Sequence, residues 1–259
     1  GPALRGALFR LPRKCSRPLA GKSMVVHETG PIMSEAIRKH SGKSPDRAAL
    51  ARVGAQVRDR LARNPAVYKL PTDEAEIYAV GDFLSPAECA KLIALIDLTA
   101  KPSKAFDIEY AQAYRTSYSG DVDPWDPFIM KIQRRIDDLL AIPPEFGETI
   151  QGQRYLPGQE FKEHHDWFHT DRPYWATESA RGGQRSYTAM VFLNEVAEGG
   201  STDFPKLGMS ISPQPGALLA WNNATSQGRP NEQTLHAGTP VIKGEKYIIT
   251  KWYRSRKWG

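Results

Sequence analysis

Cysteine is nearly absent from this chain, with Cys15 and Cys89 the two in 259 residues. Two thiols cannot build a disulfide framework and are too few for a structural zinc site, so a reducing, cytoplasmic compartment is expected. Long apolar runs are absent too. No stretch approaches the ~20 apolar residues of a membrane span, which leaves a soluble protein with no membrane partner. Acidic residues are missing from one region only. Residues 1–26 carry Arg5, Arg10, Arg13, Lys14, Arg17 and Lys22 and no acid, which accounts for the whole net charge of +6, because the remaining 29 basic and 29 acidic residues cancel. The basic character therefore belongs to a tail, and no nucleic-acid partner is expected. That tail has the composition of an organellar transit peptide, yet Gly1-Pro2 reads as a scar of protease cleavage, and Met24 and Met33 each read as a native start. It lacks the continuous apolar segment of a secretory signal.

What is present is ordinary for a globular protein with a sizeable core: 40% apolar and 25% charged residues. The economical division is a tail plus helical extension over 1–65 and one catalytic domain over 66–259. Ser44-Pro45-Asp46 supplies an N-cap and an N1 proline, and Leu50, Val53, Val57 and Leu61 then recur at helical spacing, so 45–63 reads as an amphipathic helix. Ser85-Pro86-Ala87-Glu88 is a capping box that opens a helix to about Thr99. Ile129, Ile132, Ile136 and Leu139/Leu140 mark a third over 126–141. From about Glu148 the pattern changes to short apolar runs between turn residues, at 149–155, 186–194, 209–212, 217–222 and 246–253. Strands that follow helices rather than alternate with them point to a β sandwich or jelly roll and away from a doubly wound sheet. The segment from Trp167 to Gly183 has no regular period and reads as a disordered stretch or a functional lid.

His164-His165-Asp166 places an imidazole and a carboxylate two positions apart, which on a strand puts both on one face. Such a pair alone is also a common polar strand end. A third ligand must come from elsewhere, and His236, in Thr234-Leu235-His236-Ala237-Gly238, is the best-placed distal histidine. Two imidazoles and one carboxylate on one face of an octahedral ion match the triad of non-haem Fe(II) oxygenases. His165 points to the opposite strand face and His169 falls in the presumed lid, so neither reads as a ligand. His27 and His40 have no partner. Lys246, ten residues after His236, leads an apolar run, so it reads as a solvent-facing edge-strand gatekeeper or as a buried partner for an anionic ligand.

Four blocks in order resemble the prolyl 4-hydroxylase family of 2-oxoglutarate/Fe(II)-dependent dioxygenases over residues 76–259. They are Arg154-Tyr155-Leu156-Pro157-Gly158-Gln159-Glu160-Phe161 with His164-His165-Asp166; Gly182-Gly183-Gln184-Arg185 leading to Thr188 and Phe192-Leu193-Asn194; Gly199-Gly200-Ser201-Thr202 with Phe204-Pro205; and Leu235-His236-Ala237-Gly238 through Lys246 to Thr250-Lys251-Trp252. The resemblance implies a mainly β protein with flanking helices and a double-stranded β-helix (jelly-roll) core. It implies His164, Asp166 and His236 as iron ligands, and Lys246 on the far carboxylate of 2-oxoglutarate with Tyr155 and Thr202 as hydrogen-bond donors. The cofactors it implies are Fe(II), 2-oxoglutarate and O2, with ascorbate as reductant. A lysine at 246 rather than an arginine places the chain nearer the collagen-type and bacterial branch. Arg185 and Trp252 match substrate-contacting positions; their alternatives are a surface cation and a core aromatic. Phe161 departs from the tyrosine frequent at its position, which puts the substrate in question and leaves the iron chemistry untouched.

The activity this implies is hydroxylation of a C–H bond, at C4 of a prolyl residue in a peptide or protein, with release of succinate and CO2. The alternative is hydroxylation of a free amino acid or other small molecule; a non-oxidative cupin-like metalloprotein is more remote, because it leaves Lys246, Tyr155 and Thr202 unexplained. Trp167, Phe168, Tyr174 and Trp175 crowd the segment after the first ligands and either pack on the barrel or form a lid. In the lid arrangement their flat faces suit proline in an extended or polyproline II chain, with Trp175, Arg185 and Trp252 gripping the substrate.

Overall fold

The computed structural model describes residues 46–103 and 114–259. The basic tail, the transit-peptide reading, Cys15, His27 and His40 lie outside the described residues. Fourteen strands are present among them: β1 (Val67–Lys69), β2 (Ile77–Val80), β3 (Lys101–Pro102), β4 (Tyr118–Asp121), β5 (Gln151–Tyr155), β6 (Phe161–His164), β7 (Arg185–Phe192), β8 (Glu198–Gly199), β9 (Thr202–Phe204), β10 (Met209–Ile211), β11 (Leu218–Asn222), β12 (His236–Gly238), β13 (Val241–Lys243) and β14 (Lys246–Arg254). The large sheet runs β1-β2-β11-β7-β14-β5-β4-β3, and a smaller one runs β10-β9-β12-β6. Every pairing is antiparallel. The smaller sheet faces the larger across a shared core, which is the jelly-roll arrangement expected.

Strand alternation sorts the residues of the large sheet into two cores. From β2, β7, β11 and β14, the side chains Tyr78, Val80, Tyr187, Ala189, Val191, Leu218, Ala220, Ile249 and Tyr253 join a core backed by helices. Their neighbours Ile77, Ala79, Met190, Phe192, Leu219, Trp221 and Ile248 point the other way, against Phe204 and Ile211 of the smaller sheet. β14 reads through this rule directly. Lys246, Ile248, Thr250 and Trp252 fall on the face between the sheets, and Tyr247, Ile249 and Tyr253 on the helix side.

Three helices cover the outer face: α1 (Arg47–Ala62), α2 (Pro86–Thr99) and α3 (Pro127–Leu140). α2 starts with the expected capping box, Ser85 and Glu88 each bonding the other's backbone N–H. α3 is capped by Asp126, whose Oδ1 accepts from the N–H groups of Phe128 and Ile129. α1 packs across the division drawn at residue 65. Leu50, Gly54, Val57 and Leu61 of α1 are buried, and Val57 and Leu61 share one core with strands of the large sheet, so α1 belongs to the domain. Asp46, fully buried at its start, accepts from Ser255 Oγ at 2.6 Å and ties the helix to the end of β14. The segment after the first ligands is neither disordered nor irregular throughout, because it contains a short helix α4 (Trp175–Ala180). Among the described residues no helix is long and apolar enough to cross a membrane.

α2 lies close on the sheet because Gly120 and Gly152 face each other in the β4–β5 register beneath Ile96. A Cβ on Gly152 would meet the Ile96 side chain and come within 2.9 Å of the Gly120 carbonyl oxygen. Gly152→Val should therefore destabilise the protein by about 1–3 kcal/mol through overpacking, read as a Tm lower by several degrees in thermal denaturation. A Tm equal to that of the unsubstituted protein would show that the helix does not depend on this close approach.

Candidate metal centre and its two cavities

His164 closes β6, His236 opens β12, and the two are register partners on adjacent antiparallel strands. Their rings stand 4.2 Å apart. Asp166 follows β6 just beyond its end, and its oxygens lie 3.9 Å from His164 Nε2 and 3.7 Å from His236 Nε2. The three donor atoms fall within 4.8 Å of one another. His164 Nδ1 is 2.8 Å from the Lys162 carbonyl and His236 Nδ1 is 2.9 Å from the Thr234 carbonyl. A carbonyl can only accept, so each Nδ1 carries the proton and each Nε2 turns a lone pair toward the shared point. Burial, then the neighbouring His236, pushes the His164 pKa down to about 3, which keeps that imidazole neutral. Burial opposes charge on Asp166, but His236, His164, Arg185 and the Thr188 hydrogen bond hold its pKa below the ordinary carboxylate value. Two imidazoles and a carboxylate, with the ring orientations fixed from behind, are the donor set that Fe(II) requires.

The other histidines are accounted for. His165 stacks on Trp167 with centroids 3.9 Å apart and sits 3.3 Å from the Glu232 carbonyl, turned away from the triad. His169 lies in the wall of the outer cavity described below.

A narrow cavity of about 40 Å³ runs inward from the triad between the sheets, bordered by Tyr155, Thr202, Thr250, Trp252 and, at its end, Lys246. Lys246 is 1% exposed, so the gatekeeper reading is excluded. Its Nζ makes two long hydrogen-bond contacts, to Ser201 O and Thr202 Oγ1, each at 3.5 Å, and stands 5.4 and 5.7 Å from the ring centroids of Tyr155 and Phe192. Burial pushes its pKa down to about 7, offset in part by Asp203. A buried ammonium with such poor partners is costly unless an anion completes it. Tyr155 points its hydroxyl at Gln153 Oε1, 2.7 Å away, and Thr202 is beside Lys246, so all three residues expected at the cosubstrate meet in one space.

A second cavity, about 590 Å³, opens outward from the same triad, with Tyr114, Phe161, Trp167, Tyr174, Trp252 and Trp258 among its aromatic walls. Phe161, His164, Asp166 and Trp252 border both spaces. Trp167 and Phe168, expected in a lid, are 8% and 4% exposed and pack on the barrel. Trp175 begins α4 and does not line this cavity. Arg185 does line it, but each of its three nitrogens is already engaged. Its Nε and one terminal nitrogen grip Glu148 at 2.7 and 2.8 Å, the other lies 3.4 Å from the Asp166 carbonyl, and its plane covers the Trp252 ring at 4.1 Å. Arg254 shares Glu148 and also holds Glu178 of α4, so buried charges bind the segment after the ligands to the barrel. Burial opposes charge on Glu148, yet Arg185 and Arg254 hold its pKa below the usual value. Glu148, Arg115, Asn223 and Trp258 carry no sequence signal of their own; only their positions bring them to the site.

The comparisons agree with this geometry. Residues 150–254 match the model of the 2OG-Fe(II) oxygenase superfamily. Probable prolyl 4-hydroxylase 8 of Arabidopsis thaliana is 32% identical over 205 residues, which are 70% of this chain and 69% of that protein. The solved 2OG complex of the viral collagen prolyl hydroxylase from Paramecium Bursaria Chlorella virus-1 is 31% identical with a TM-score of 0.54, covering 68% of this chain and 94% of that one. A Trichoplax adhaerens prolyl hydroxylase, solved with a hypoxia-inducible-factor peptide, shares the fold at 14% identity and a TM-score of 0.53, over 83% of this chain and 94% of that one.

Lys246 yields two measurable consequences. Its folded pKa lies below its unfolded value, so the lysine destabilises the ligand-free protein most fully below about pH 7, and the penalty fades as pH rises toward 10.5. Lys246→Met should accordingly raise the Tm of the ligand-free protein near neutral pH while removing the stabilisation given by added 2-oxoglutarate. In the unsubstituted protein, 2-oxoglutarate affinity should fall as pH rises through 7, by up to about tenfold per unit, because the bound carboxylate needs the charged ammonium. Calorimetric titration from pH 6 to 9 checks this; a flat profile would contradict it.

Proposed function

The chain belongs to the prolyl 4-hydroxylase family of 2OG-Fe(II) oxygenases, and on that footing we propose that it hydroxylates C4 of a prolyl residue held within a peptide or protein. The observation that carries this reading is the pair of cavities that meet at one triad. The inner one is narrow and ends in a buried lysine; the outer one is wide, open and walled by aromatic rings. An outer space of about 590 Å³ is far larger than a single amino acid needs and within the ~300–1,000 Å³ of ligand sites generally. Flat aromatic walls suit the rings of an extended, proline-containing chain, which has little conformational entropy left to lose on binding.

His164, Asp166 and His236 would hold the iron, and Lys246 with Thr202 and Tyr155 would fix the far carboxylate of the cosubstrate. Iron, 2-oxoglutarate and O2 supply the oxidation of the C–H bond, with release of succinate and CO2. The chain's part is to bind, to orient and to keep out water. The two Nδ1–H donors, bonded to Lys162 O and Thr234 O, keep the imidazoles from swinging away. Phe161 lies parallel to His164 with centroids 3.5 Å apart and narrows the passage between the cavities. Trp252, with Arg185 over its face and Glu148 clamping Arg185, forms a rigid wall that faces both spaces. Arg185 thus acts by supporting that wall, and the substrate's ring would rest on Trp252.

Trp252→Ala should raise the peptide KM by roughly tenfold or more, as loss of a buried aromatic anchor costs over about 1.4 kcal/mol, whereas Trp175→Ala should leave it near its starting value. Steady-state succinate formation on proline-containing peptides measures both. Hydroxylation of free proline as efficient as that of the best peptide would overturn the peptide reading and leave the metal centre untouched.

A further inference from the structure

Asp166 is the one member of the triad that no strand ladder fixes, since β6 ends at His164. Its carboxylate is held from behind by a side chain. Thr188 on β7 is fully buried, and its Oγ1 lies 2.7 Å from Asp166 Oδ2. On its other side the same Oγ1 is 2.9 Å from Asn223 Nδ2. Hydrogen-bond bookkeeping fixes the direction of both bonds. An ionised carboxylate has no proton to give, so Thr188 must donate to Asp166. A hydroxyl has one hydrogen, so Thr188 can only accept from Asn223, and the amide must turn its NH2 toward it. Asn223 Oδ1 is consequently buried without a partner, an orphan acceptor that the opposite amide orientation would have supplied at the expense of Asp166. Asn223 itself is anchored: its N–H donates to Ser186 O at 2.8 Å, and its carbonyl accepts from Asn231 N at 3.0 Å.

We propose that Asn223 and Thr188 are positioning residues whose one-way relay holds Asp166 Oδ2, so that the carboxylate presents Oδ1 to the metal as a single-oxygen ligand. The relay rests on the reading of His164, Asp166 and His236 as the metal centre. It adds that the geometry of the acidic ligand is set from β7 and the residue just after β11, on the opposite sheet from the two histidines. β11 then braces both later ligands, since Trp221, two residues before Asn223, packs edge-on against His236 with centroids 4.8 Å apart.

The test uses Mn(II) alone as the probe, titrated against the full chain by calorimetry, with circular dichroism to establish folding. Thr188→Val keeps the shape and removes the hydroxyl. It should weaken Mn(II) binding by roughly 10- to 100-fold, the usual cost of losing a group that orients a ligand, and lower kcat while the peptide KM stays put. Thr188→Ser restores the hydroxyl and should recover most of the affinity. Asn223→Ala leaves Thr188 free to rotate and should weaken Mn(II) binding by less than Thr188→Val does. If Thr188→Val does not fold, Asn223→Ala decides, and unchanged Mn(II) affinity there overturns the relay. Unchanged affinity in a folded Thr188→Val likewise overturns it, provided His236→Ala abolishes binding. Normal Mn(II) binding by His236→Ala would instead remove the metal centre itself and the relay with it.

Discussion

The pairing of His236 with His164 across β6 and β12 is the constraint on which the site depends. Opposed residues of an antiparallel pair stand only ~4.5–5.5 Å apart at Cβ, close enough for two imidazoles to share one ion. Chain separation is irrelevant to this. The histidines are 72 positions apart in the chain, and the ladder cancels that distance. The backbone also supplies the second requirement, because the carbonyls of Lys162 and Thr234 each take the Nδ1 proton and so aim Nε2 inward. Ligand placement and ligand protonation thus both follow from strand geometry, and only Asp166 needs side-chain support.

Around this centre the protein buries charge in two different ways. Glu148, Arg185, Arg254 and Glu178 form a closed set in which each group has charged partners, and that set ties α4 and the segment after the ligands onto the barrel. Such a network gives rigidity and a defined wall more reliably than net stability, because desolvation offsets much of the attraction. Lys246 is the opposite case. Its ammonium is enclosed by two oxygens at 3.5 Å and the rings of Tyr155 and Phe192, with no ion pair among the described residues, and burial lowers its pKa to about 7. Groups kept at such a cost cluster at functional sites. The same contrast separates the paired charges of Arg185 and Glu148 in the wall of the outer cavity from the end of the inner cavity, where Lys246 Nζ makes two hydrogen-bond contacts of 3.5 Å.

Much of this was legible in the residues. The capping box at Ser85, the apolar face of the third helix, and the five strand runs after Glu148 all lie where their local signals put them, because capping, helical period and strand alternation are short-range effects. The triad and Lys246 were legible through the spacing of their blocks. Other features were not. The apolar stripe of α1 shows that it buries a face without showing against what. The aromatic segment left packing on the barrel and a lid both open, because Trp167 and Phe168 carry no period; both are buried.

What the sequence determined by itself was therefore the set of parts: element types, the two faces of each strand, and a donor set suited to Fe(II). The tertiary structure decided which donors were already engaged. Arg185 looked available for a substrate, and its partner Glu148 stands 37 positions away and reaches it only when β7 and β14 lie side by side. Lys246 alternated correctly for a gatekeeper and for a ligand partner alike, and only the closing of the smaller sheet over β14 put it out of reach of solvent. Asn223 and Thr188 gained their direction from Asp166, a third residue from another part of the chain. Local pattern fixes where a side chain points, but hydrogen-bond and charge satisfaction are sums over all neighbours, and in an antiparallel jelly roll most of those neighbours are distant in sequence.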